Sequence, residues 1–172
     1  MRKYTIRPIM PAVMRSAALG TAALLTIAVS PASAATVMRT IDVKGSPKAV
    51  WSMIGPFCAI KDWLPPVGAC IEDGKAPPTR TLVTKDGKAA FVETQTARDD
   101  AAYSYSYAFI SSPLPVRNYK STIKVTAKGD GTSTITWTGS YTPDQGKEKA
   151  ASEALNGVYE AGLAEIKARL AK

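Results

Sequence analysis

Cys58 and Cys70 are the only two cysteines of the chain, and there is no histidine at all. The missing imidazole removes Ser-His-Asp and Cys-His catalysis, histidine metal sites and the commonest general base near neutral pH. No group of Cys, Asp and Glu at metal-ligand spacing takes its place, so no metal is expected. No Gly-x-Gly-x-x-Gly segment and no Gly-Lys-Ser/Thr phosphate loop occurs, so no nucleotide or other cofactor is expected either. The two thiols allow three readings: a disulfide, two buried free thiols or a redox pair. The Cys-x-x-Cys spacing usual for a redox pair is absent. A disulfide would close a short loop and add about 3 kcal/mol in the chain-entropy view. The remaining chemistry is aromatic. Tyr103, Tyr105, Tyr107 and Phe109 alternate along one stretch, and Trp51, Trp63, Tyr119, Trp137 and Tyr159 are spread along the rest. Side chains of this kind hold apolar guests or form a core, and they do not attack bonds by themselves.

The compartment decides how the cysteines are read. Arg2, Lys3, Arg7 and Arg15 precede an uncharged stretch from Ser16 to Val29, and Ser30-Pro31-Ala32-Ser33-Ala34 ends in the small-x-small pattern of a signal-peptidase site. Residues 1–34 are therefore expected to be a signal peptide, cut after Ala34, leaving residues 35–172 as one domain. The apolar stretch falls short of the about 20 residues that span a bilayer, so a retained membrane anchor is the lesser alternative. No cysteine follows the cut, which argues against a lipoprotein. The chain does not open on an Arg-Arg pair, which favours the general secretory route and a periplasmic location. An oxidising compartment favours the Cys58–Cys70 disulfide. Removing four basic residues from 22 leaves 18 against 14 acids, a net charge of +4. Such mild basicity suits an acidic partner surface. With its lysines and arginines scattered, the chain does not read as a nucleic-acid binder.

The elements that must position these residues follow from spacing. Val37–Val43 alternates as a strand. Ser46-Pro47 opens a helix that ends at Gly55, and a second short helix carrying Cys58, Ile60 and Trp63 stops before Pro65-Pro66. Strands are expected at 69–72, 80–84, 89–96, 102–110, 119–126 and 133–141, with a hairpin turn at Asp86-Gly87 and another at Gly129-Asp130-Gly131. Lys147 to Ala171 reads as one long helix whose apolar face holds Ala151, Leu155, Val158, Tyr159, Gly162, Ile166 and Leu170. In the last two strands Tyr119, Ser121, Ile123 and Val125, and Ile135, Trp137, Gly139 and Tyr141, are expected to face that helix. The tyrosines of 102–110 are expected to face inward as well. Strand, two short helices, six strands and a long helix make an α+β domain.

This order, over the whole of residues 35–172, resembles the helix-grip fold of the START, Bet v 1 and polyketide cyclase superfamily (SRPBCC). The resemblance implies a curved antiparallel sheet of about seven strands wrapped around the long C-terminal helix. The segment Pro113-Leu114-Pro115-Val116-Arg117-Asn118-Tyr119-Lys120-Ser121 is similar to the latch loop and following strand of plant abscisic-acid receptors. Ala76-Pro77-Pro78-Thr79-Arg80 stands at their gate loop, and Glu93 at their pocket glutamate. Pro113 and Leu114 replace the latch histidine and arginine, and Gly68 replaces the carboxylate-anchoring lysine, so binding of abscisic acid is not implied. Phe57-Cys58-Ala59-Ile60-Lys61-Asp62-Trp63, with Cys70 following, resembles an exported bacterial branch that includes MxaD-type accessory proteins of periplasmic methanol oxidation. Leu64 stands where that branch usually has histidine.

The resemblance implies a cavity between sheet and helix. Trp51, Trp63, Tyr105, Tyr107, Tyr119, Trp137, Leu155 and Tyr159 are its expected lining, with Leu114 at the latch and with Glu93 and Asn118 to orient a polar group. Gly157 and Gly162 are expected to allow sheet or ligand to approach the helix. Three functions follow: a non-catalytic binder of a hydrophobic small molecule or lipid; an accessory factor of a periplasmic oxidation system, in which Lys120, Lys124 and Lys128 would meet an acidic protein; and a cyclase- or aromatase-like enzyme, for which the chain offers only Glu93 and tyrosines.

Overall fold

The structure, a computed structural model, describes residues 33–172. The expected signal peptide falls on residues 1–32, outside the described residues, apart from its last two. Ala35–Lys44 forms strand β1, and Pro47–Ile54 forms helix α1. Ser46 caps α1 by accepting the Ala49 N–H at 3.3 Å, and Pro47 fills the first turn, where its missing N–H is harmless. A 3-10 turn at Phe57–Ala59 leads into helix α2, Ile60–Trp63. Six strands follow: β2 (Val67–Glu72), β3 (Thr79–Thr84), β4 (Ala90–Asp99), β5 (Ser104–Ser111), β6 (Val116–Gly129) and β7 (Thr132–Pro143). Helix α3, Glu148–Leu170, closes the chain. The strands form one antiparallel sheet in the order β1-β7-β6-β5-β4-β3-β2. This is the helix-grip fold the element order implies. Among the described residues no helix is long and apolar enough to cross a membrane.

Alternation along the strands sets the two faces. Tyr119, Ser121, Ile123 and Val125 of β6, and Ile135, Trp137, Gly139 and Tyr141 of β7, are buried as expected. Lys120, Lys124 and a run of threonines lie on the other face. The tyrosine stretch needs one correction. Tyr103 lies in the turn at a φ of 49°, and β5 starts only at Ser104; Tyr105 and Tyr107 are buried and Phe109 is half-buried.

Helix α3 lies closest to β1 and buries Ala151, Leu155, Tyr159, Gly162, Leu163 and Ile166. Gly162 is a true close approach: a Cβ there would come within 3.0 Å of the Trp137 ring and 3.1 Å of Leu64. Gly139 on β7 does the same from the sheet, where a Cβ would meet the Tyr159 hydroxyl at 2.4 Å. Gly157 does not fit that role. It is exposed, with nothing within 4 Å of a Cβ, because it lies on the outer side of α3.

Candidate functional site

The inner half of the sheet holds one buried ion pair. Arg80 of β3 stands directly across from Glu93 of β4. Both side chains point inward, and the residues are 0% and 3% exposed. Arg80 Nε donates to Glu93 Oε2 at 2.6 Å, and Nη1 donates to the Phe57 carbonyl. The guanidinium lies 4.0 Å over the Phe57 ring and 5.1 Å from that of Tyr107. Nη2 has no partner among the described residues. The disulfide Cys58–Cys70, with Cα atoms 5.6 Å apart, ties the Phe57 turn to β2 and so holds this carbonyl and ring in place. Burial pushes the Glu93 carboxyl above its ordinary value, with Arg80 pulling it back. Burial opposes the Arg80 charge, and the facing Glu93 outweighs it, so the guanidinium stays charged.

A second buried network joins sheet to helix. Trp137 Nε1 donates to Ser121 Oγ at 2.9 Å and to the Tyr107 hydroxyl at 3.1 Å. The Tyr159 hydroxyl reaches Ser121 Oγ at 2.8 Å and the Tyr119 hydroxyl at 2.7 Å. The Tyr159 and Trp137 rings stack at 4.1 Å, while Trp63 meets Trp137 edge-on at 5.5 Å. Burial raises the phenols: Tyr107 and Tyr119 well above their ordinary value, Tyr159 to about 12. All three are therefore neutral hydrogen-bonding groups near pH 7, with no phenolate to act as a base.

Between these networks lies a cavity of about 140 Å³. Its wall runs from α2, the following loop and the start of β2 (Ile60, Leu64, Pro66, Val67) across the inner face of β3–β7 (Leu82, Thr84, Phe91, Glu93, Tyr107, Phe109, Tyr119, Trp137) to α3 (Leu155, Val158), with Leu114 closing it from the β5–β6 loop. Pro66, Leu114 and Val158 are partly or fully exposed and form its mouth. Glu93 is the one charged residue in the wall. Its second carboxylate oxygen accepts no hydrogen bond from any described residue. An apolar cavity of about 150 Å³ is enough to hold a benzene-sized guest, whereas pockets for drug-sized ligands run to about 300 Å³ and more.

Of the expected site residues, Glu93, Tyr107, Leu114, Tyr119, Trp137 and Leu155 come together in this wall. Trp63, Tyr105 and Tyr159 do not: they sit one layer behind, as the packing that holds Trp137, Arg80 and Tyr119 in position. Trp51 also lies outside the wall, its indole N–H bound to Asp100 at 2.8 Å. Asn118 is exposed on the outer side, because a bulge between Arg117 and Lys120 puts it at a φ of 54° and turns it away from the cavity. Sequence reasoning missed Arg80 as the partner of Glu93, and much of the wall, with Leu64, Leu82, Phe91 and Phe109 among the residues it did not expect there. The signal for Arg80 was present: counted outward from Asp86-Gly87, the residue six before the turn faces the residue six after it, and these are Arg80 and Glu93. Among the described residues no group of three or more potential metal ligands occurs.

A long helix gripped by an antiparallel sheet, with an apolar cavity between them, defines a helix-grip domain of the START–Bet v 1 superfamily. Within it the chain belongs to the family described as polyketide cyclase / dehydrase and lipid transport, whose model matches residues 34–171. The protein XoxI from Bacillus cereus superposes with a TM-score of 0.75 at 29% identity, over 80% of this chain and 96% of that one. The Zhui aromatase/cyclase from Streptomyces sp. R1128 gives 0.64 at 16% identity, covering 81% and 94%. Norcoclaurine synthase from Thalictrum flavum, solved with dopamine and hydroxybenzaldehyde, gives 0.66 at 17% identity, covering 81% and 87%. These last two share the fold alone. No curated protein sequence matches this chain.

Proposed function

We propose that this is a periplasmic, non-catalytic binding protein that holds a small hydrophobic molecule, or one end of a lipid-like one, in the cavity between sheet and helix. The observation that carries this reading is the wall itself: apolar and aromatic groups surround one carboxylate whose free oxygen can accept a hydrogen bond. A guest with a ring or short chain and a hydroxyl or amine donor matches that wall. Cyclase-type chemistry is less well served. Glu93 has one oxygen committed to Arg80, and the tyrosines stay protonated.

Calorimetry with toluene and p-cresol tests the reading. Both should bind, and Glu93→Gln should weaken p-cresol roughly fivefold to tenfold, since a charged acceptor bonds about twice as strongly as a neutral one. Toluene should be unaffected, which separates a lost hydrogen bond from a loosened fold. Equal effects on the two, or none, would remove Glu93 from the site; no binding of either would remove the cavity.

One observation favours a second reading, an accessory factor that docks on an acidic periplasmic protein. Lys120 and Lys124 project from the outer face of the sheet with no carboxylate within salt-bridge distance among the described residues, whereas Lys128 is paired with Asp42. Co-purification of an acidic protein that Lys120→Glu/Lys124→Glu abolishes would support that role.

A further inference from the structure

Strands β5 and β6 part company before they end. They pair only between Ser104–Ala108 and Lys120–Lys124. Beyond Ala108, β5 continues to Ser111 bonded to β4 alone, while Val116 and Arg117 of β6 bond to β7 alone. The bulge at Arg117/Lys120, with Asn118 in the left-handed region, keeps the two strands apart; bulges commonly end pairing and re-aim side chains. Asparagine tolerates that backbone conformation better than most residues.

The gap opens on the outer face as a polar depression of about 520 Å³, bordered by Ser112, Arg117 and Asn118. Phe109 and Tyr119, whose rings stack with centroids 4.0 Å apart, also border it. The same two residues line the inner cavity. These two residues are common to the walls of both spaces, and of the two only Tyr119 is anchored by a close hydrogen bond, to Tyr159.

Arg117 stands at the outer rim, half-exposed to solvent. Its Nε donates to Asp144 Oδ1 at 3.0 Å, which fixes the stem. The two terminal nitrogens make no hydrogen bond to any described residue, and a guanidinium offers a planar fork to an anion. The mouth at Pro66, Leu114 and Val158 carries no charge. A guest larger than a single ring must extend out of the cavity, and the gap offers a cation to meet it.

Resting on the reading of the cavity as a binding site, we propose that the β5–β6 gap is a second opening of that cavity, gated by the Phe109 ring. Through it an apolar stem held inside extends an anionic end to Arg117. The ligand class is then a ring or short chain ending in a carboxylate.

Two homologous series, ω-phenylalkanoates and ω-phenylalkanols of increasing linker length, test this on the protein by calorimetry and stopped-flow fluorescence. The phenyl group should occupy the cavity in both series. Past a threshold linker length the carboxylates should bind roughly fivefold more tightly than the matching alcohols, about the most an exposed charge pair contributes. Arg117→Gln should abolish that preference and leave the alcohols unchanged. Phe109→Leu, a mild substitution, should speed both association and dissociation of the long carboxylates. A preference that persists in Arg117→Gln, or rates unmoved in Phe109→Leu, would overturn the second opening while the alcohols still report a working cavity. Failure of both series to bind would remove the cavity reading and this opening with it.

Discussion

Replacing Glu93 by glutamine leaves the Arg80 guanidinium fully buried without its counter-charge. Breaking a buried pair in this way costs about 3–5 kcal/mol, because the remaining charge keeps its desolvation penalty and loses its attraction. For a domain near 140 residues that corresponds to a fall in melting temperature of about 10–15 °C. The reverse substitution, Arg80→Met, behaves differently with pH. Its methionine can still pack on Phe57, 4.0 Å from where the guanidinium lay. Glu93 is then buried alone, with its carboxyl raised further by the loss of Arg80. A carboxyl raised in the folded state favours folding fully below its unfolded value near 4.5 and loses that contribution as pH rises from there through the folded value. The cost of Arg80→Met should therefore be several kcal/mol at pH 7 and shrink toward pH 4.5, while the cost of Glu93→Gln should not shrink over that range. The double variant should cost less than the sum of the two, by about 2 kcal/mol or more. Urea denaturation of the four proteins at pH 7 and pH 5 reads all of this. Additive costs, or a Glu93→Gln penalty below about 1 kcal/mol, would show that the guanidinium is not dependent on Glu93 and refute the argument.

Three further outcomes are expected. Reducing Cys58–Cys70 should lower the unfolding free energy by about 3 kcal/mol, and thiol titration of the denatured, unreduced protein should find no free thiol. The phenols of Tyr105, Tyr107, Tyr119 and Tyr159 are all raised by burial, so they favour folding below the ordinary phenol value of 10 and lose that contribution as pH rises above it; ultraviolet titration should show part of the tyrosine absorbance ionising only together with alkaline unfolding, and ionisation with the fold intact would contradict the burial. Gly139→Ala should destabilise by about 1–3 kcal/mol, since the new methyl would meet the Tyr159 hydroxyl, whereas Gly157→Ala on the exposed side of α3 should stabilise by up to about 1 kcal/mol in thermal melts.

Much of the frame was legible from local rules. Ser46-Pro47 marked the start of α1, the alternation through 119–125 and 135–141 sorted β6 and β7 into faces, and Asp86-Gly87 marked the β3–β4 hairpin. The same turn also held the register that places Arg80 against Glu93, but a buried arginine runs against every composition rule, and the pairing was legible only by counting outward from the turn. Asn118 was read as a site residue because of its neighbours in the latch-like segment. The bulge that turns it outward depends on β6 bonding to β7 and parting from β5, and pairing between distant strands leaves little trace in a local pattern.

The site shows the same division. Alternation identifies which aromatic residues point inward, and it does so for Tyr105, Tyr107, Tyr119 and Trp137 alike. Pointing inward, however, is common to a packed core and to a cavity wall. What separates Tyr105 and Tyr159, which are packed on all sides, from Tyr107, Tyr119 and Trp137, which border open space, is how far the sheet stands from α3 at each point. That distance is set by the grip of the whole sheet on the helix, closest at β1 and through Gly139 and Gly162, and wider toward β3 and β4. The sequence by itself determined the elements, their inward faces, the absence of histidine chemistry and the one cysteine pair available for a disulfide. Only the tertiary structure decided where the inward faces fail to meet, because a cavity is a property of the spacing between elements and of no single element within the chain.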